Sequence, residues 1–245
     1  MKVRYLILVI VALSACATPE IKKQNQPNPQ TSFAYHLDGA PKAGSLEDEK
    51  DYQTLLSLQE SRTEEDCARG STEVKITLGS FYGPPYGPLT AKEVAEYSHL
   101  FIVLSKDAWP LINQTKENFK RVRPFNAHSD LKPCVKKETS FSYPSAHAAI
   151  SAYYKHVLEI IFPERKDAIK QRAEQIAHDR NLVGVHYPSD VRDGKKLGDQ
   201  IYAYLAKDEN FKKLITAGAG SEIQMAPGSP TGSDLPKAKA TPSKP

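Results

Sequence analysis

Three short segments of this chain carry side chains suited to holding and attacking an anion. The first is Lys116 with Arg123 and Pro124. Their spacing of seven residues is about two helical turns, so the two cations share one face if the helix continues that far. A basic helix end is equally an ordinary solvated surface, and Lys120 and Arg121 lie between them. The second is Tyr143-Pro144-Ser145-Ala146-His147. A proline that opens a helix leaves free backbone N–H groups in the first turn, which favour an anion. Ser145 adds a hydroxyl donor and His147 a titratable ring beside the same spot. The third segment runs from Arg180 through His186 to Asp190. With His186 and Asp190 four apart, the carboxylate can accept a hydrogen bond from one imidazole nitrogen and leave the other as acceptor or nucleophile. A metal site and a plain surface His–Asp pair are the alternatives. The metal reading lacks an evident third ligand at metal spacing, and Arg180 would repel a cation.

Helices have to position these groups. Tyr52, Leu55, Leu56 and Leu58 give the stretch 48–58 a partly amphipathic helical pattern. Thr90 to Glu93 fits a capping box ahead of Val94, Tyr97 and the apolar run 100–104, and a second helix is expected over about 107–120. Pro144 stands where a helix would begin, before Ala148, Ala149, Ala152, Tyr153, Val157, Leu158 and Ile161. Further helices are expected over 164–178 and 189–205, and 83–88 reads as a turn-rich connector. No run alternates with period two, so the expectation is all-α: a single helical-bundle domain over 44–216.

The flanks read differently. Lys2 and Arg4 precede an apolar run over 5–13 that is too short to span a bilayer comfortably but suits a signal peptide. Leu13-Ser14-Ala15-Cys16 resembles the lipobox of bacterial lipoproteins, which would make 1–15 the signal and Cys16 an acylated first residue. An ordinary signal peptide is the alternative. Ala17 then favours the periplasmic face of the outer membrane, with a soluble periplasmic or secreted form if Cys16 is not acylated. Residues 16–43, rich in Pro, Gln, Asn and Lys, read as a flexible tether, and 217–245 as a disordered tail. The 33 Lys and Arg nearly balance 29 Asp and Glu, so no broad field for nucleic acid is implied, and the membrane is met through a lipid anchor only. Cys67 and Cys134 either pair or stay as two free thiols. Nothing specifies an oligomeric state.

Read together, Lys-x6-Arg-Pro, Pro-Ser-x-His and Arg-x5-His-x3-Asp resemble the signature of the type-2 phosphatidic acid phosphatase superfamily, especially the bacterial class A nonspecific acid phosphatases. The resemblance covers Lys116 to Asp190. It departs from the family at Ala146, where glycine is usual, and at Asp179, where serine usually precedes the arginine. A carboxylate beside an anion site is unfavourable, so Asp179 is expected to point away.

The resemblance implies a phosphomonoester hydrolase of the acid phosphatase and vanadium haloperoxidase fold, with no cofactor and no metal. Lys116, Arg123 and Arg180 would supply charge, with Ser145 and the Ala146 N–H completing the cradle. His186, oriented by Asp190, would attack phosphorus, and His147 would serve the leaving alcohol and then the water. A vanadium-dependent haloperoxidase, a lipid-phosphate phosphatase and a non-catalytic anion-binding envelope lipoprotein are the competing readings.

Overall fold

The computed structural model describes residues 33–83 and 85–220. The leader, Cys16, the tether up to residue 32 and the tail from 221 lie outside the described residues.

Polar caps start most of the helices. Ser45 caps α1 (Leu46–Ser61), accepting from the Asp48 N–H. Thr63 and Asp66 exchange hydrogen bonds at the start of α2 (Glu64–Thr72). This helix was not anticipated, because its nine residues carry no apolar stripe to read. The expected capping box opens α3 (Ala91–Phe119): Thr90 Oγ1 accepts from the Glu93 N–H at 3.3 Å, and Glu93 Oε2 from the Thr90 N–H at 2.8 Å.

Two helices were expected over 90–120, but α3 runs unbroken through Pro110. The proline cannot donate to the carbonyl four residues back, at Lys106. Lys106 and Asp107 are exposed, so water can reach that carbonyl, while Leu104, Ala108, Leu111 and Ile112 bury one continuous stripe across the gap.

The second half of the chain folds as α4 (Ala146–Ile161), α5 (Lys166–Leu182), α6 (Pro188–Leu205) and α7 (Glu209–Gly220). Helix α4 is the hub. It is buried continuously from Ala146 to Tyr154 and meets α5, α6, α3 and α7. Its crossing with α6 is close because two glycines face it. A Cβ on Gly194 would come within 2.5 Å of the Ser145 carbonyl oxygen, and one on Gly198 within 2.2 Å of that of Ala149. This seam draws the first turn of α6 against the first turn of α4. The described residues contain no strand, only one isolated bridge, Tyr82 to Leu89. The all-α expectation holds, and none of their helices is long and apolar enough to cross a membrane.

Both domain boundaries move. Residues 33–38 lie on the bundle instead of forming part of the tether: Phe33, Tyr35 and Leu37 pack on the core. Between them His36 and Gln200 exchange hydrogen bonds of 2.7 and 2.9 Å. Alternating apolar residues in an otherwise polar stretch give this arm one adhesive edge. At the other end α7 continues to Gly220, past the expected limit at 216, anchored by buried Phe211 and Ile215. Cys67 of α2 and Cys134 form a disulfide, resolving the two alternatives read from the sequence.

Candidate active site

Lys116 and Arg123 do not share a helix face. Helix α3 ends at Phe119, and Lys120 turns the chain with a left-handed φ of 52°. Arg123 instead precedes a single helical turn, Pro124–Ala127. Lys116, buried in the last turn of α3, donates to the carbonyl oxygens of Phe141 and Ser142 at 2.7 and 3.3 Å. Burial, with repulsion from Arg123, pushes its ammonium down to about 7. The Arg123 guanidinium is also buried. It donates through Nε to Ser140 O at 2.9 Å, through Nη1 to Val185 O at 2.9 Å, and through Nη2 to Glu138 Oε2 at 2.5 Å.

His186 and Asp190 are both completely buried, which removes the surface-pair alternative. His186 Nδ1 lies 3.3 Å from Asp190 Oδ2. The same oxygen accepts from the Tyr187 N–H at 2.9 Å and from the Ser142 hydroxyl, while Oδ1 accepts from Arg121 Nη1 at 2.8 Å. Burial by itself would raise the Asp190 carboxyl; the His186 hydrogen bond and the Arg121 charge hold it at about 2 instead. Burial and the Arg123 charge lower His186 to about 3. An ionised Asp190 therefore faces a neutral imidazole and fixes its proton on Nδ1. The lone pair is left on Nε2, which Arg123 Nη1 approaches to 3.0 Å.

The first turn of α4 forms the opposite wall. The Tyr143-Pro144 peptide is cis, and the helix begins two residues after Pro144, at Ala146 with Ser145 as its cap. The Ser145 N–H donates to the Asp190 carbonyl oxygen at 2.8 Å, tying α4 to α6. Ser145 Oγ faces the Ala148 N–H at 3.4 Å and Ser145 O accepts from the Ala149 N–H. The Ala146 and His147 amides thus precede the first intrahelical bonds. Ala146 belongs to the main apolar core, so its methyl group has packing partners there. His147 Nε2 lies 2.9 Å from Glu73 O and 3.2 Å from Val74 O, which makes it the donor. Its Nδ1 is buried and has no hydrogen-bond partner among the described residues. Burial, with the Arg180 charge, lowers this ring to about 4.

Arg180 is held from behind. Its Nη2 donates to Gly70 O and Glu73 Oε2, both at 2.9 Å, while its Nε is buried with no hydrogen-bond partner among the described residues. Asp179 points away as expected: Arg69 takes both its oxygens at 2.7 and 2.8 Å. The predicted residues of all three motifs therefore come together.

Sequence reasoning missed the residues that hold them. Glu73 pairs with Arg180 and with Arg172 at 2.8 Å, and its carbonyl oxygen orients His147. Burial pushes its carboxyl up to about 7 against the pull of Arg180 and Arg172. Arg121 spans from Asp190 to Asp48 and Asp51 at 2.8 to 3.0 Å. No spacing rule connects residues so far apart. Glu138 was also missed. One ligand atom each from Glu138, His147 and His186 falls within 4.8 Å of the others, a spacing that a metal ion would accept. Arg123 reaches both Glu138 and His186 at 2.5 and 3.0 Å, however, and a fixed guanidinium there disfavours a metal cation.

No family model matches the chain. It is similar to the non-specific acid phosphatase of Providencia stuartii, 29% identical over 188 residues that cover 73% of this chain and 76% of the relative. The non-specific acid phosphatase of Salmonella typhi is 25% identical over 228 residues, 88% of this chain and 90% of the relative. Among solved structures, a bacterial vanadium-dependent iodoperoxidase superposes with a TM-score of 0.55 at 17% identity. That match covers 74% of this chain and 54% of the other, and the likeness is one of fold. The resemblance carried by the three motifs thus extends along most of the chain.

Proposed function

We propose that this protein is an acid phosphatase of the type-2 phosphatidic acid phosphatase superfamily, hydrolysing phosphomonoesters through a phosphohistidine without a metal. The similarity to non-specific acid phosphatases supports a phosphomonoester hydrolase. The observation that carries the mechanism is His186: Asp190 fixes its proton on Nδ1, and its Nε2 lone pair faces the anion site beside Arg123.

The chemistry follows from the charges. Phosphoryl transfer needs positioned positive charge more than covalent machinery. Arg123, Arg180 and Lys116 surround the site, and the free amides of Ala146 and His147 add helix-terminal donors. His186 Nε2 attacks phosphorus, the ester bond breaks, and the leaving oxygen takes a proton from His147 Nδ1. The neutral His147 then takes a proton from water as that water attacks the phosphohistidine, which releases phosphate and frees His186. His147 suits the task because Nε2–H is occupied by Glu73 O while Nδ1 is unclaimed. Its ring is held at about 4 without ligand, and a phosphate dianion beside it raises that value.

The deciding assay is hydrolysis of p-nitrophenyl phosphate at about pH 5 to 6 with EDTA present, beside His186→Ala. Turnover that survives the chelator and falls at least about a thousandfold in the variant is the expected result. Turnover that needs a metal, or that survives His186→Ala, would sink the mechanism. Oxidation of bromide by peroxide only when vanadate is added would instead favour the peroxidase chemistry.

The leader and Cys16 support export with a lipid anchor at the periplasmic face of the outer membrane. Cys16→Ser should then abolish incorporation of labelled palmitate; labelling that persists would refute the anchor.

A further inference from the structure

Glu138 lies where the substrate's charge has to go. Its carboxylate accepts from Arg123 Nη2 at 2.5 Å and lies within 4.8 Å of nitrogens on both His147 and His186. These are the groups that the phosphatase reading assigns to the phosphoryl group. The two histidines are at most 6% exposed, whereas the Glu138 side chain is 30% exposed, which puts it on the solvent side of the site. The Arg123 charge draws its carboxyl down to about 2 against the effect of burial, so it stands there as an anion.

Its segment has no regular structure, and Arg123 holds Ser140 beside it at 2.9 Å. Residues 136–139 have neither helix nor strand, and Lys136, Lys137, Thr139 and Ser140 are exposed. Firm anchors hold both ends: Cys134 through the disulfide and its N–H bond to Val183 O, and Ser142 through its N–H bond to Arg121 O. Between them Glu138 can swing out without disturbing the helices.

We propose that Glu138 is a built-in competitor of the substrate, an internal carboxylate that occupies Arg123 Nη2 and sets the affinity of the site for phosphate and phosphomonoesters. The proposal rests on the phosphatase reading. A carboxylate and a phosphoryl group use the same guanidinium fork, and two anions do not share it. Binding therefore exchanges Arg123 Nη2 from Glu138 Oε2 to a phosphoryl oxygen, and the displaced carboxylate moves to solvent. Every ligand has to overcome that contact.

The test compares the wild-type domain with Glu138→Gln and Glu138→Ala, using orthophosphate binding by calorimetry and p-nitrophenyl phosphate kinetics. Both variants should bind orthophosphate about tenfold more tightly, with a matching rise in kcat/KM. Gln keeps a hydrogen-bonding shape without the charge, so the gain in Glu138→Gln identifies charge as the cause. The rise in melting temperature on adding phosphate should also be larger in the variants, which reports binding independently of turnover. Unchanged or weaker phosphate binding in both variants, while the wild type still hydrolyses the ester, would overturn the competitor role alone. If no form binds phosphate or hydrolyses the ester, the phosphatase reading falls with it.

Discussion

Gly194 of α6 sits so close to Ser145 of α4 that an added Cβ would come within 2.5 Å of the serine's carbonyl oxygen. The neighbouring bond from the Ser145 N–H to Asp190 O depends on that approach, because it joins the helix that carries His147 to the helix that carries Asp190. Gly194→Ala or Gly198→Ala should therefore force the two helices apart. Each should cost about 1–3 kcal/mol by urea unfolding, with kcat/KM reduced alongside. A fully active and equally stable Gly194→Ala would show that the seam tolerates a methyl group.

The two histidines predict a particular pH dependence. In the proposed mechanism His186 is neutral to attack, and without ligand it is held at about 3 by burial and Arg123, so the acid limb of kcat/KM should lie near there. His147 must be protonated, and without ligand it is held at about 4, so the basic limb of kcat/KM falls at low pH. In the substrate complex the phosphate dianion raises His147. The bell for kcat should therefore extend to higher pH than the bell for kcat/KM. Parallel basic limbs, or a rate that climbs steadily to about pH 9, would exclude these roles.

The same shifts make the fold acid-sensitive. Both histidines are lowered from an ordinary value of 6.5, so the unfolded chain binds protons first as the pH falls. Their contribution is fully present above about pH 6.5 and is lost as the pH drops toward 4 and then 3. For His147 alone the loss is on the order of 3 kcal/mol. Denaturant melts between pH 7 and 4 should show this decline, and His147→Gln should flatten its upper part. An unchanged slope in that variant would mean His147 titrates normally.

Glu73 holds two buried guanidinium groups, Arg172 at 2.8 Å and Arg180 at 2.9 Å, and lends its carbonyl oxygen to His147. Burial holds the Glu73 carboxyl at about 7, so above that pH Glu73→Gln leaves both cations short of a counter-charge, which should cost about 3–5 kcal/mol there. Arg180 should also lose its fixed orientation, so KM for p-nitrophenyl phosphate should rise more than kcat falls. A variant with normal stability and normal KM would show that Arg180 is held by Gly70 alone.

The motifs were legible in the sequence because each is local. His186 and Asp190 sit one turn apart, and the cap at Thr90 and the apolar run that became α4 follow from short-range rules of helix geometry. The all-α class followed from the same periodicity. The unbroken α3 did not, because a proline argues for a break locally while the buried stripe around it argues for continuity only in the fold.

What only the tertiary structure decided is how those motifs face one another. Lys116 and Arg123 would have shared a helix face only if the helix had continued, but it turns at Lys120, and convergence came instead through partners from distant segments. Glu73 behind Arg180, Arg121 behind Asp190 and Glu138 in front of Arg123 are matched by charge across 15 to 107 positions of chain. Local patterns select helices because the backbone repeats every few residues; which buried charge meets which is settled only when those helices pack.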